Sequence, residues 1–375
     1  MAPRSAKTEP GLPDPSCIDG APHPRVAESV FGQTRAEAEF LEAFRAGRLH
    51  HGWLLTGPRG IGKASFAWRI AKFLMSQPAP GGMFAPEPPQ TLDTDPDHPV
   101  VRRIMAGSEP GVFELKRGPN ATGSALSQDI RVDRVREMRS FLHLSASDGG
   151  PRVVIVDCAD EMNTQAANAL LKLLEEPPER VTFLMVSHQP AGLLPTIRSR
   201  CRELRLHALE PEAMAQALGQ AEAMDPDVDM MALSALSAGS VGEAIRLINL
   251  GGLETYAQIV DLMATLPRLD RPKALALAES FAGKQNAERF ELALGLVDLF
   301  MARLARAGVM GPPHPEGAAG EAKLMARLSP DPLAAMKWAA LHQELGTRAR
   351  HGRAVNLDPA ALVVDMVLKL TAAAA

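Results

Sequence analysis

RVVIVDCADEMNTQAANALLKLLEEPPERVTFLMVSHQPAGLLPTIRSRC, residues 152–201, decides how this chain is read. Val153-Val154-Ile155-Val156 is apolar on both faces, which fits a strand buried in a parallel sheet. It ends on Asp157, a carboxylate placed where open α/β sheets hold their ligands. Ala166, Leu170, Leu173 and Leu174 then recur at helical spacing, and Glu175-Glu176-Pro177-Pro178 stops that helix. A second buried strand, Val181 to Val186, hands over to Ser187 and His188, and the stretch closes on Ile197-Arg198-Ser199-Arg200-Cys201. Strand, helix, strand and a terminal arginine predict a nucleotide-handling α/β core.

Upstream, Trp53-Leu54-Leu55-Thr56 is a short buried strand that runs into Gly57-Pro58-Arg59-Gly60-Ile61-Gly62-Lys63-Ala64-Ser65. A helix follows with Phe66, Ala67, Ile70, Ala71 and Leu74 inward. This is the order of a phosphate loop: glycines turn backbone N–H groups toward a polyphosphate, the helix N-terminus adds its positive end, and Lys63 supplies a mobile charge. One position departs from the pattern. The residue after the lysine should carry a hydroxyl for Mg²⁺, and it is Ala64; Ser65 is about 100° of helix out of place. Backbone cradling survives such a change, whereas metal placement suffers.

Gly111 to Leu115 reads as another strand, and Ile130 to Asp133 leads a helix carrying Val135, Met138, Phe141 and Leu142. Leu204 and Leu206 mark a last short strand, giving five strands with helices between them in a three-layer parallel sheet. Ser76 to Pro99 has no periodicity and is expected to be a loop insertion; its Asp93, Asp95, Asp97 and His98 fit a solvated acidic loop better than a metal site. Beyond Leu206 only helical patterns remain: three short ones over 210–220, 227–237 and 240–250, then a bundle from about 254, broken by a loop at 308–320.

Composition sets outer bounds. A chain of 375 residues predicts two or three domains, at roughly 100–200 residues each. Hydrophobic residues at 46% with aromatics at only 4% leave the packing to Ala and Leu, which favours helix. A net charge of −4 gives no global basic field for nucleic acid, and Arg198, Arg200, Arg202 and Arg205 fit a subunit interface better than a phosphate track. Cys17, Cys158 and Cys201 lie far apart, so no disulfide framework or cysteine-rich zinc site is written, and a reducing cytoplasm is expected. No apolar run reaches the ~20 residues of a membrane span, and the Pro-rich start lacks the apolar core of a signal peptide.

With these motifs placed, the chain resembles the AAA+ clamp-loader subunits of bacterial DNA polymerase III. The carriers are Leu49-His50-His51-Gly52-Trp53-Leu54-Leu55, Gly60-Ile61-Gly62-Lys63-Ala64, Ile130-Arg131-Val132-Asp133, Asn168 to Pro178, Ser187-His188-Gln189-Pro190 and Leu194 to Cys201. They span about 31–206, and the Ser-Arg-Cys that follows a Leu-Leu-Glu-Glu-Pro-Pro helix is the specific part. The resemblance implies an AAA+ P-loop core over 25–207, preceded by a flexible tail (1–24) and interrupted by the 76–99 insertion. It further implies a helical lid over 208–252 and an all-α oligomerisation domain over 253–375.

The resemblance also assigns roles. Gly57, Gly60, Gly62 and Lys63 match the phosphate loop, Asp157 the metal-side acid, Ser187 the first sensor, and Arg200 an arginine finger that reaches the ATP of a neighbouring subunit. Three catalytic parts are altered: Ala64, Cys158 where a glutamate orients water, and Gly242 where the lid arginine belongs. Arg246, one turn later, does not replace it, and the cysteines many relatives carry in the insertion are missing from Ser76–Pro99, so no zinc is expected. The expectation is a non-catalytic subunit that helps load a sliding clamp onto primed DNA, requires no cofactor, and tolerates ATP or ADP in the loop at most. Its partners would be the gamma/tau ATPase subunits, the delta subunit and the clamp, with DNA touched mainly through them. The alternative is a working ATPase, the motor of the loader, which needs a hydroxyl at 64 and a glutamate at 158. An unrelated P-loop kinase or GTPase leaves Ser199-Arg200-Cys201 and the helical half unexplained.

Overall fold

The structure is a computed structural model, and it describes residues 12–78, 88–120, 122–144, 150–224, 227–355 and 357–374. The chain divides into two compact units, Met1–Met224 with Ser240–Gly242, and Asp225–Gly239 with Glu243–Ala375.

The first unit is built on five parallel strands, β1 (Gly52–Thr56), β2 (Val112–Leu115), β3 (Arg152–Val156), β4 (Val181–Val186) and β5 (Arg202–Arg205), in the order β2-β3-β4-β1-β5. The three central strands are buried at every position, which is why they read as continuous apolar runs rather than alternating ones. Edge strand β5 is exposed except at Leu204. The helices of this unit are α1 (Thr34–Arg45), α2 (Lys63–Ser76), α3 (Pro99–Met105), α4 (Val132–Leu144), α5 (Thr164–Glu175), α6 (Pro195–Arg198) and α7 (Pro211–Gln220).

Helix α5 shows how sequence fixes these elements. The Asn163 side chain accepts from Ala166 N–H at 2.9 Å to start the helix, Leu170 and Leu174 bury against β3 and β4, and Pro177 follows its end. Helix α2 is buried along most of its length, Trp68 and Phe73 included, so the phosphate-loop helix is a core element.

One stretch differs from expectation, and the other is the expected exposed acidic loop with local order of its own. Residues 12–23 fall within the expected flexible tail, yet their polar side chains pair with β2: Asp14 meets Lys116 at 2.7 Å and Ser16 donates to Glu114 at 3.1 Å. In the insertion, residues 79–87 lie outside the described residues, and the segment from 88 onward is locally organised. Leu92 is fully buried, Asp93 pairs with Arg69 at 2.8 Å, Asp95 accepts from Asp97 N–H, and His98 caps α3. Asp93 and Asp95 are engaged locally, and all three aspartates stay exposed to solvent.

The second unit is helical. It holds α8 (Met230–Ser237), most of α9 (Val241–Asn249), α10 (Gly252–Ala264), α11 (Arg271–Glu279), α12 (Ala287–Met310), α13 (Glu321–Leu328), α14 (Pro332–Ala354) and α15 (Pro359–Ala374). The helices expected around 292–304, 333–345 and 362–370 are α12, α14 and α15, and their Leu, Ala and Met stripes supply core positions such as Leu296, Met301, Leu304, Leu362 and Met366. Of the three short helices expected over 210–250, α7 lies in the first unit and α8 in the second, while α9 crosses the division. One polar knot ties this bundle together. The fully buried Glu321 carboxylate accepts from Arg303 Nε at 2.7 Å, Arg303 Nη2 at 3.0 Å, Tyr256 Oη and Gly317 N–H.

Candidate nucleotide site and arginine turn

The glycine loop joins β1 to α2 at the C-terminal edge of the sheet. Gly57 has φ 138°, and a Cβ there would sit 2.5 Å from Leu206 O, so only glycine fits. Gly62, at φ 92°, is the left-handed residue from which α2 begins. Lys63 is the first residue of that helix, and its ammonium donates back into the loop, to Gly57 O at 2.7 Å and to Pro58 O. Its side chain is buried. Burial pushes the Lys63 ammonium down to about 8, with Cys158, Asp160 and Asp157 pulling the other way. The lysine is thus aimed along the loop, within electrostatic reach of the carboxylates that end β3.

Asp157 follows β3 and is held through its N–H to Leu115 O at 2.8 Å. Burial raises its carboxyl, while the Ser16 hydroxyl beside it acts in the opposite sense. Cys158 occupies the next position in a left-handed conformation, φ 61°. Its Sγ lies 3.1 Å from His188 Nε2, and burial followed by the charges of Asp157, Glu161 and Asp160 pushes the thiol up. His188 is pushed down to about 4, first by burial and then by Lys63. Both shifts favour a neutral thiol beside a neutral imidazole, which has no carboxylate with which to orient a water. The nearby carboxylates are committed elsewhere, Asp160 to His188 N–H at 3.0 Å and Glu161 to Arg117 at 2.8 Å.

Ser187 ends β4, with its N–H on Leu55 O at 3.0 Å; its side chain is fully buried and its Oγ meets no hydrogen-bond partner among the described residues. Ala64 offers no hydroxyl at the head of α2. At the start of α9, Gly242 carries no side chain toward the loop. Its backbone rests there instead, N–H to Gly60 O at 2.9 Å, and Ser240 Oγ donates to Arg59 O at 2.9 Å. The structure therefore gathers Gly57, Gly60, Gly62, Lys63, Asp157, Ser187 and Gly242 along one edge of the sheet. Sequence reasoning missed the Cys158–His188 contact, although both residues directly follow positions singled out as strand ends.

Arg200 is elsewhere. It follows α6 on the turn into β5, where a Cβ at Gly52 would come within 3.3 Å of Arg200 O and Cys201 Sγ. Gly52 begins β1 and Gly57 follows its end, so the five-residue strand sets about 16 Å between them at roughly 3.3 Å per residue. The Arg200 side chain is 36% exposed, and its guanidinium bridges to Glu175 Oε1 at 2.9 Å and donates to Thr196 O at 3.0 Å. Arg202, two residues on, pairs with Glu39 at 3.2 Å and lies over the Trp53 ring.

Comparison with known proteins agrees with this geometry. A family model described as DNA polymerase III, delta subunit, matches residues 32–210. The DNA polymerase III subunit delta′ of Pseudomonas aeruginosa is 36% identical over 233 residues, 62% of this chain and 65% of that protein. The subunit of the same name from Escherichia coli K12 is 34% identical over 214 residues, 56% of this chain and 58% of that protein. The DNA polymerase III subunit gamma of Buchnera aphidicola is 29% identical over 255 residues, 65% of each chain. The matched region covers less than two thirds of the length of these relatives. The parallel sheet in the order β2-β3-β4-β1-β5, its glycine loop and the helical remainder fit an AAA+ core, and the relatives indicate a subunit of the clamp-loader type. Within that class, the family-model match and the delta′ relatives support the delta prime subunits of DNA polymerase III as what this chain is similar to.

Proposed function

We propose that this chain is a non-catalytic subunit of the replicative clamp loader, one that offers Arg200 in trans to the ATP held by a neighbouring subunit. The observation that carries the reading is the separation along β1. A loop lacking its catalytic partners lies at one end, and a half-buried arginine lies at the other, too far to serve that loop. At its own site, Ala64, Cys158 and Gly242 remove the metal hydroxyl, the water-orienting carboxylate and the lid arginine. Arginine fingers contribute about 10³–10⁵ in rate in well-studied nucleotide hydrolases, so a silent subunit with a working finger is still essential to catalysis next door. In this reading the partners are the gamma/tau ATPase subunits, the delta subunit and the sliding clamp. Primed DNA is reached mainly through them, the helical unit supplies the assembly surface, and the complex works in the cytoplasm.

The test is steady-state ATP hydrolysis by the purified chain alone, then mixed with the ATPase subunit, the delta subunit, clamp and primed DNA, each with and without Arg200→Ala. The expected result is no turnover alone, strong turnover in the mixture, and a loss of about 10³-fold or more with the variant. Robust turnover by the isolated chain, abolished by Lys63→Ala, would overturn the reading.

A further inference from the structure

The N-terminal segment carries no sequence signal that would bring it near the phosphate loop, yet the structure places it there. Asp14 and Ser16 reach across the end of β2. Asp14 grips Lys116 Nζ with both oxygens (2.7 and 2.9 Å), Lys116 reaches Glu114 Oε2 at 2.7 Å, and Ser16 Oγ donates to Glu114 Oε1 at 3.1 Å. The same Ser16 hydroxyl stands beside the Asp157 carboxyl. Two residues on, Ile18 lies over the loop: a Cβ on Gly242 would meet Ile18 Cδ1 at 2.7 Å and Gly60 Cα at 3.0 Å. Downstream, the His23 ring packs edge-on against Trp68 of α2, Arg25 Nε donates to Met105 O at 3.2 Å, and Lys72 Nζ donates to Ala27 O at 2.6 Å.

Asp14, Cys17 and His23 bring a carboxylate, a thiol and an imidazole within 4.8 Å of one another, but the cluster is better explained as an anchor than as a cation site. The Lys116 ammonium already neutralises Asp14. His23 Nδ1 accepts from Arg25 N–H at 3.1 Å, which leaves the ring proton on Nε2, facing Glu114 at 3.5 Å and Asp14 at 3.8 Å.

We propose that Asp14–Ile18 is a built-in occupant of the nucleotide site, with Ser16 covering the metal-side acid and Ile18 seated in the space that a lid arginine at 242 would need. The proposal rests on the reading of Gly57–Lys63 as a phosphate loop. Nucleotide and segment then compete, and the apparent affinity of the site is its intrinsic affinity reduced by the fraction of time the segment is displaced. The contacts span two strand ends and the loop, so loss of the anchor and of the plug together releases them all.

The test uses the full chain and methylanthraniloyl-ADP followed by fluorescence anisotropy, comparing the wild type with Asp14→Ala/Ser16→Ala/Ile18→Ser, each also carrying Lys63→Ala. Thermal unfolding of both proteins checks that the variant is folded. The expected result is affinity at least ~10-fold tighter in the triple variant, lost again with Lys63→Ala. As a second measurement, a synthetic peptide of residues 12–26 added to the variant should displace the bound probe. Equal affinities in wild type and variant, including no binding by either, would overturn the proposal, as would a peptide that displaces nothing. Equal affinities that Lys63→Ala abolishes would overturn the plug while leaving the phosphate-loop reading intact. Gained binding that ignores Lys63→Ala would instead overturn that reading and the plug with it.

Discussion

Glu175→Gln isolates how the arginine turn is held before a partner arrives. Arg200 and Glu175 are 36% and 43% exposed and meet at 2.9 Å, with the guanidinium also on Thr196 O. An ion pair this open is worth about 0.2–1 kcal/mol, because water screens both charges and two long side chains lose freedom to form it. In the proposed role, drawing Arg200 away from Glu175 and onto a partner's phosphate therefore costs at most a factor of about five. Glu175→Gln keeps the shape and removes the charge. In the reconstituted loader it should leave the ATPase rate within about fivefold of wild type, whereas Arg200→Ala should lose about 10³-fold or more. The assay is phosphate release during titration of this chain into a fixed amount of the other subunits, clamp and primed DNA, at low and high salt. The small effect of Glu175→Gln should shrink further as salt rises. A loss beyond about 30-fold with Glu175→Gln would refute the reasoning, since a resting contact of this exposure cannot supply the roughly 2 kcal/mol required.

The other predictions concern stability. Glu321→Ala strips three partners from a fully buried carboxylate and strands the Arg303 guanidinium; the expected cost is about 3–5 kcal/mol, and Glu321→Gln should cost less. Urea unfolding followed by Trp338 fluorescence in a Trp53→Phe/Trp68→Phe background reads this, and a loss under about 1 kcal/mol would show that the knot is not needed. Burial pushes the Glu114 carboxyl up, but His23 and Lys116 outweigh it and hold the group at about 2, against 4.5 for the free side chain. Lys116, at 2.7 Å, is the firmer of the two holds, because the His23 contact is 3.5 Å long. The resulting stabilisation is complete above pH 4.5 and drains as pH falls toward 2, by an amount on the order of 3 kcal/mol. Urea midpoints at pH 7, 4.5 and 3 should therefore fall less steeply in Lys116→Met than in wild type; parallel profiles would refute the assignment.

The fold was largely legible because its signals are local. Central strands buried on both faces leave largely apolar runs at 53–55, 153–156 and 181–186, and the glycine loop announces itself between a strand and a helix. The phosphate-loop glycines and the ends of β3 and β4 were legible for the same reason. The hidden features depend on contacts between distant residues. Nothing in the Pro-rich start signals that Asp14 will find Lys116, 102 positions away, because a pair of exposed-type residues carries no periodicity. The approach of Cys158 to His188 likewise follows from two strand ends lying side by side in the sheet, and strand order is not written in either strand. The division of the chain between α7 and α8 was equally silent, since all the short helices share one Ala-rich pattern.

The contact of Gly242 with Gly60 also bears on what any side chain at 242 would meet. Adding even a Cβ at 242 forces Ile18 aside and presses on Gly60 Cα at 3.0 Å, before any guanidinium reaches a phosphate. An arginine placed at 242 by one substitution therefore meets a space already taken. Position 242 thus works as a keystone of bare backbone, and any side chain placed there displaces Ile18 or the loop.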